Sequence, residues 1–266
     1  MALLSVAVSV DYPEKPGVLK NARFEMEHGE ILGLAGTSGC GKSTLALTIL
    51  GLLDFKGAKP GPGSSVKFDG KELIGLSESE MRRLRGREIS LVLQSPLASL
   101  NPVLRIGTQF REAWHAHSKD SGAWKKEAFA ALENVSLPHD DAFLKRYPSQ
   151  LSVGQAQRVL IAMAILHHPK LLIADEPTSA LDIITQAEIL ELFKRLNQTL
   201  KMGILYITHD LLSLAALCHR AAILDAGEVV ETGTVEQIFN SPQHRYTQKL
   251  IASLPTSPNH YPDHRA

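Results

Sequence analysis

The chain has 266 residues, with 28 Lys and Arg against 28 Asp and Glu, 44% hydrophobic residues and two Cys. That length supports a sizeable core and excludes a disordered chain, and zero net charge gives no global field for nucleic acid or anionic lipid. The longest strongly apolar run, Val159 to Leu166, is far short of the roughly 20 residues that a bilayer-crossing helix needs.

Taken in chain order, Leu3 to Val10 is a strand candidate, and residues 1 to 30 look like short strands joined by turns. This stretch carries no basic leader pattern, so no signal peptide is expected. Ile31 to Ala35 is a buried strand and Lys42 to Leu53 a helix; Gly57 to Ser65 is a surface loop by composition, and Val66 to Gly70 a further short strand. Ile89 to Leu93 is a strand. Residues 102 to 150 look wholly helical, as an inserted lobe, and include the helix pattern Trp124 to Val135. Helix Ser152 to His167, strand Leu171 to Ala174, helix Ile183 to Leu200 and strands Ile204 to Thr208 and Ala221 to Leu224 complete the pattern. The alternation predicts an α/β fold with a parallel core, beside a small antiparallel layer. Cys40 and Cys218 have no disulfide or metal spacing, which fits a reducing, cytosolic compartment.

The sharpest local signal is Gly36-Thr37-Ser38-Gly39-Cys40-Gly41-Lys42-Ser43-Thr44, which satisfies G-x-x-x-x-G-K-[ST] between a strand and a helix. Glycines let backbone N–H groups curl around a phosphate, and the helix N-terminus adds partial positive charge. Lys42 would reach the β- and γ-phosphates and the Ser43 hydroxyl would ligate Mg²⁺. A second acidic site follows the apolar run Leu171 to Ala174: Asp175 would hold the metal, and Glu176 would orient or deprotonate the attacking water. Gln94 after Ile89 to Leu93, and His209 after Ile204 to Thr208, point to the same strand ends. Gln94 offers a carbonyl to metal or water, and His209 a donor to a γ-phosphate oxygen. Leu151-Ser152-Val153-Gly154-Gln155 opens another helix with an N-cap candidate, Ser152, and forms a second anion site. Two phosphate-binding helix starts in one chain imply two ATP molecules shared across a head-to-tail dimer.

In this order the motifs resemble the ATP-binding subunit of an ABC transporter. They are the phosphate loop, the Q-loop Gln94, the signature Leu151 to Gln155, Leu171 to Glu176, the D-loop Ser179-Ala180-Leu181-Asp182 and the switch His209. The resemblance implies a P-loop NTPase fold, with a RecA-like parallel sheet, an antiparallel β subdomain and an inserted helical subdomain. As one ATP-binding domain, it would place the core and β subdomain at 1–101 and 157–240, the helical part at 102–156 and a tail at 241–266. Tyr12 looks like the aromatic residue that stacks on adenine. Ser152, Val153, Gly154, Gln155 and Asp182 would complete the partner's nucleotide site, and Ser43, Gln94 and Asp175 would hold Mg²⁺.

Ser99-Leu100-Asn101-Pro102, Arg105-Ile106-Gly107, Leu181 to Leu190, and the tail Ser241 to Leu250 with Pro255 resemble subunits of peptide and nickel importers. That implies a peripheral subunit at the cytoplasmic face of the cell membrane. Its partners would be a second, non-identical ATPase, two integral membrane permeases and, indirectly, an extracellular solute-binding protein, with no nucleic acid. A soluble ATPase serving an enzyme assembly, such as a carbon–phosphorus lyase system, is the alternative. The chain has no Cys after Cys218, so an iron–sulfur cluster in the tail is not expected, and His260 and His264 read as solvated. Two residues depart from the family pattern: Val153 stands where Gly is usual and Ala156 where a basic residue is common. A left-handed backbone at 153 would strain a β-branched Val and slow closure or hydrolysis.

Overall fold

The computed structural model describes residues 2–118, 120 and 122–254. Its strands are β1 (Leu4–Tyr12), β2 (Lys15–Met26), β3 (Ile31–Ala35), β4 (Lys59–Pro60), β5 (Ser65–Phe68), β6 (Lys71–Glu72), β7 (Ile89–Val92), β8 (Leu171–Asp175), β9 (Gly203–Thr208), β10 (Arg220–Asp225) and β11 (Glu228–Thr234). Six form one sheet in the order β11-β10-β3-β9-β8-β7; β10, β3, β9, β8 and β7 run parallel, and β11 returns antiparallel along β10. A second, antiparallel sheet has the order β2-β1-β5-β6, with β4 also on β1.

The helices are α1 (Lys42–Ile49), α2 (Glu78–Leu84), α3 (Pro96–Ser99), α4 (Ile106–His115), α5 (Trp124–Asn134), α6 (Asp141–Leu144), α7 (Val153–Ile165), α8 (Ile183–Leu200), α9 (Leu211–Leu217), α10 (Val235–Asn240) and α11 (Arg245–Ala252). All the named elements between β7 and β8 are helical. No helix of the described residues is long and apolar enough to cross a membrane.

Period-two alternation along the parallel strands builds a core on each face of the large sheet. Ile31, Ala35, Leu172, Ala174, Ile204 and Tyr206 join residues of α4, α5, α7, α8 and α9 on one side. Leu32, Leu34, Leu171, Ile173, Leu205 and Ile207 join α1 and the antiparallel sheet on the other. At about 1.5–3 kcal/mol for each fully buried aliphatic side chain, these two layers hold the strand ends in register. Gly33 on β3 allows α9 to approach closely, since a Cβ there would lie 2.7 Å from Leu214 Cδ1.

One expectation is corrected here. The Gly57 to Ser65 stretch is not wholly loop, because Lys59 and Pro60 pair with Asp11 and Val10 of β1. Gly61 N–H then donates to Ser9 O at 2.8 Å and Ser64 Oγ accepts from Ser9 N–H at 3.1 Å, so the segment is stitched to β1 despite its turn-like composition.

Candidate active site

The carboxyl ends of the parallel strands gather the motifs, where ligands of open α/β sheets bind. The loop from Gly36 to Gly41 joins β3 to α1. Gly36 is irreplaceable on steric grounds, since a Cβ would lie 2.2 Å from Leu224 O and 2.7 Å from Cys40 Sγ. Gly41 has φ 114° and is packed against Val18 and Leu19. Lys42 is only 5% exposed; its ammonium donates to Gly36 O at 2.8 Å and Thr37 O at 3.1 Å, so the loop's own carbonyls hold it in place.

Beside this loop lies a cavity of 720 Å³, lined by Tyr12, Ser38, Gly39, Gly41, Lys42, Ser43, Thr44, Gln94 and Glu176. Tyr12 reaches Thr44 through a hydroxyl pair at 3.3 Å. Gly36, Thr37 and Cys40 belong to the loop but do not line the cavity. Cys40 is buried, and burial raises its thiol pKa although Lys42 opposes the shift, so it is an inert filler of the loop.

Glu176 is the point of convergence. Its φ of 47° makes it the non-glycine residue with a left-handed backbone on the cavity wall. Its N–H donates to Ile207 O at 2.9 Å, fixing the turn out of β8. Gln94 Nε2 donates to Glu176 Oε2 at 3.3 Å, His209 Nδ1 lies 3.2 Å from the same oxygen, and Lys42 Nζ lies 3.9 Å from Oε1. In this structure the Gln94 amide and the His209 imidazole are therefore turned toward the carboxylate of Glu176.

Asp175, half-buried at the end of β8, has a carboxylate oxygen, Oδ1, with no hydrogen-bond partner among the described residues. Burial raises its pKa; the Ser43 hydroxyl lowers it by hydrogen bonding, Glu176 raises it and Lys42 lowers it. An orphaned carboxylate oxygen beside a serine hydroxyl is an all-oxygen donor set that suits a hard divalent cation such as Mg²⁺.

The signature segment and Asp182 do not line this cavity. Ser152 Oγ accepts from Gln155 N–H at 3.1 Å, and Gln155 Oε1 accepts from Ser152 N–H at 3.2 Å, a reciprocal cap on α7. Gly154 abuts α8, where a Cβ would lie 2.8 Å from Thr185 Cγ2. Asp182 caps α8 through Ile184 N–H, Thr185 N–H and the Thr185 hydroxyl, and the Thr185 amide leads the causes that hold its pKa below the usual carboxylate range.

The strain expected at Val153 is absent. Val153 is the first residue of α7, with a right-handed helical backbone and an exposed side chain, a position where a β-branched residue is tolerated. Ala156 is fully buried, so a long basic side chain would have to displace core packing there. His260, His264 and Pro255 lie outside the described residues.

The motif reading missed several cavity residues. Pro13, Glu14, Lys15 and Val18 come from the β1–β2 hairpin and Lys56 from the one-turn helix after α1. Their signal is only the turn composition around Pro13 and Pro16-Gly17. Tyr246 was also missed as a partner of the loop; its hydroxyl meets Thr37.

A family model described as ABC transporter matches residues 19–179, more than half of the chain, and one described as oligopeptide/dipeptide transporter, C-terminal region, matches residues 230–265. The oligopeptide transport ATP-binding protein OppD of Bacillus subtilis (strain 168) is 44% identical over 90% of this chain and 66% of its own length. The dipeptide transport ATP-binding protein DppD of Escherichia coli (strain K12) is 41% identical over 96% of this chain and 79% of its own. The glutathione import ATP-binding protein GsiA of Salmonella typhimurium is 44% identical over 89% of this chain. The chain spans just under two thirds of the length of OppD and 39% of that of GsiA. Among solved structures, the ATP-binding cassette MJ0796 bound to ADP and Pi superposes with a TM-score of 0.72 at 29% identity, covering 87% of this chain and 98% of that one. The cbiO1 protein of Clostridium perfringens superposes with a TM-score of 0.78 at 25% identity, covering 96% of both chains. With the phosphate loop, Asp175, Glu176 and His209 drawn to one sheet edge and the family match spanning most of them, the chain belongs to the ABC transporter family as an ATP-binding domain.

Proposed function

We propose that this chain is the ATP-hydrolysing subunit of an ABC importer for small peptides, working at the cytoplasmic face of the membrane. It acts with a second, non-identical ATPase and two membrane permeases, fed by a solute-binding protein. The observation that carries the ATPase reading is the convergence of Lys42, Gln94 and His209 on Glu176 at the cavity wall. The 230–265 match and the relatives' names support the peptide class over nickel and over an enzyme-assembly ATPase.

ATP enters with adenine against Tyr12 and its phosphates over the loop from Ser38 to Thr44. Backbone N–H groups of the loop and the start of α1 face the phosphates, and the Lys42 ammonium neutralises charge that develops on the terminal phosphoryl group. Ser43, Asp175 and Gln94 would hold Mg²⁺, which supplies charge neutralisation across the phosphates. Glu176 accepts a proton from the attacking water, and Gln94 and His209 keep its carboxylate aimed; His209 then turns its N–H to the terminal phosphate. Ser152, Gly154 and Gln155 act on the ATP held by the partner subunit, so an isolated chain binds ATP and turns it over poorly. The 102–156 block moves relative to the core as the pair closes, and the segment after Gln94 carries that motion to the permeases.

The test is reconstitution of the chain with its co-purifying membrane subunits in proteoliposomes. Peptide-stimulated phosphate release and peptide uptake are expected. Co-purification with a soluble enzyme complex, with no peptide stimulation, would overturn the importer reading.

A further inference from the structure

We propose that Tyr246, in the C-terminal helix, is a positioning residue of the phosphate loop. Its phenolic hydroxyl latches Thr37 N–H and thereby fixes the Gly36–Thr37 peptide plane, whose Gly36 carbonyl holds Lys42. This inference rests on the ATP-site reading above.

The contact is double. Thr37 N–H donates to Tyr246 Oη at 3.1 Å, and the Tyr246 hydroxyl donates to Thr37 Oγ1 at 3.3 Å. The other end of the latched peptide plane faces the chemistry: Gly36 O accepts from Lys42 Nζ at 2.8 Å, and the next carbonyl, Thr37 O, accepts from Lys42 Nζ at 3.1 Å and from Cys40 N–H at 3.3 Å. One hydroxyl thus orients the Gly36–Thr37 peptide unit, whose Gly36 carbonyl helps to place the buried ammonium. Thr37, Ser38 and Gly39 are themselves exposed, and Gly39 has φ 81°, so this side of the loop has little packing of its own.

The tail is built to deliver that hydroxyl. Glu231 on β11 accepts from Gln243 N–H at 2.7 Å and His244 N–H at 3.0 Å, which fixes the chain ahead of α11. Burial opposes ionisation of Glu231, but these donors together hold its pKa low. His244 Nδ1 accepts from Tyr246 N–H at 3.3 Å, and Tyr246, Leu250 and Ile251 pack on the core under the large sheet. The latch joins two regions that separate family models match, 19–179 and 230–265, across 209 positions of sequence. A preformed loop binds phosphate without an ordering cost, so the hydroxyl acts on affinity rather than on the reacting atoms.

The experiment uses the full chain with Tyr246→Phe, which keeps the ring and removes only the hydroxyl. Titration calorimetry with ATP is expected to show about fivefold weaker binding, the loss of one modest hydrogen bond. Hydrogen exchange without nucleotide is expected to speed up in a peptide spanning residues 36–41 and to stay unchanged in the strands. In the assembled complex, KM for ATP rises while kcat stays within about twofold. Thr37→Val, which keeps the N–H, weakens ATP less and adds nothing when combined with Tyr246→Phe. Wild-type ATP affinity and loop exchange in Tyr246→Phe would overturn the proposal, as would additive effects in the double variant. A wild-type chain that binds no ATP would overturn the site reading instead, while the exchange comparison still decides whether the latch orders the loop.

Discussion

Glu176→Gln separates binding from chemistry at one atom. In the native site the carboxylate takes a hydrogen bond from Gln94 at 3.3 Å, faces His209 at 3.2 Å and lies 3.9 Å from the Lys42 ammonium. An amide that sets its oxygen at the Oε2 position still meets both Gln94 and His209, but its NH₂ then takes the place of Oε1 and faces the Lys42 ammonium. The side chain is largely buried, and an NH₂ facing the ammonium where a carboxylate oxygen stood costs about 1–2 kcal/mol. In a chain of this size that lowers the nucleotide-free melting temperature by roughly 2–8 °C. The phosphate contacts of the loop and Lys42 remain, and one negative charge near the phosphates is gone, so ATP affinity is retained or tightened. Removing a positioned general base costs about 10²–10⁴-fold in turnover. Phosphate release by the assembled complex, read beside calorimetric ATP binding, tests this directly. Hydrolysis within tenfold of wild type would refute Glu176 as the base, and lost ATP binding would refute the division of labour between Glu176 and Lys42.

Gly36→Ala places a methyl 2.2 Å from Leu224 O, so the loop must shift by about 1 Å. A displacement of that size is expected to cost about 10²-fold in turnover, and near-normal hydrolysis would show the loop to be more tolerant than its packing. Val153→Gly relieves no left-handed strain; it is expected to weaken the start of α7 by about 0.5–1 kcal/mol in thermal melts and to leave turnover no faster. A gain in turnover would restore the strain argument. His167 stacks on Trp114 and meets His117 edge-on; burial, followed by His167 for His117, lowers the pKa of both histidines, Arg82, Arg87 and His168 add to the lowering, and the Ala113 carbonyl and Glu127 oppose it at His167. Each therefore contributes stability that is present above the ordinary histidine value of 6.5 and is lost as pH falls through the lower native value. His167→Phe keeps the stack on Trp114 and should flatten the fall in melting temperature between about pH 7.5 and 5.5; an unchanged slope would count against it.

The parallel core was legible because buried strands announce themselves as short runs of Val, Ile, Leu and Ala. Ile31 to Ala35, Leu171 to Ala174 and Ile204 to Thr208 fall within one residue of β3, β8 and β9. The helix from Lys42 is shorter than its apolar periodicity predicts, ending at Ile49 rather than Leu53. Gly51, with φ 61°, and the one-turn helix at Leu53–Lys56 end it, whereas apolar periodicity alone carries on to Leu53. Lys59–Pro60 looks like loop in sequence because a two-residue edge strand has too few side chains to show alternation, and its pairing partners lie far back in the chain, at Val10 and Asp11. The same limit applies to Tyr246. Its tail motif could be seen as a resemblance, but nothing local to residues 241–250 specifies that a hydroxyl will meet Thr37 N–H.

At Val153, by contrast, a correct comparison of residue types led to a wrong physical expectation. A glycine in a motif suggests a left-handed backbone, yet here the usual Gly position is the first turn of a capped helix, which any L-residue can occupy. The residue that does take a left-handed backbone at the site is Glu176, at φ 47°. Beside it, Asp175 keeps a buried carboxylate oxygen unpartnered among the described residues. Both features destabilise the empty chain, by about 1–3 kcal/mol each in general terms. They are adjacent at the end of β8, where a strand that is fully buried for four residues could have ended without either. Such a pair of local violations persists only when the surrounding sheet over-determines it. Here the hydrogen bond from Glu176 N–H to Ile207 O and the packed strands β7 and β9 supply that constraint, so the rigid core is what keeps the unpartnered Asp175 oxygen and the Glu176 carboxylate side by side at the end of β8.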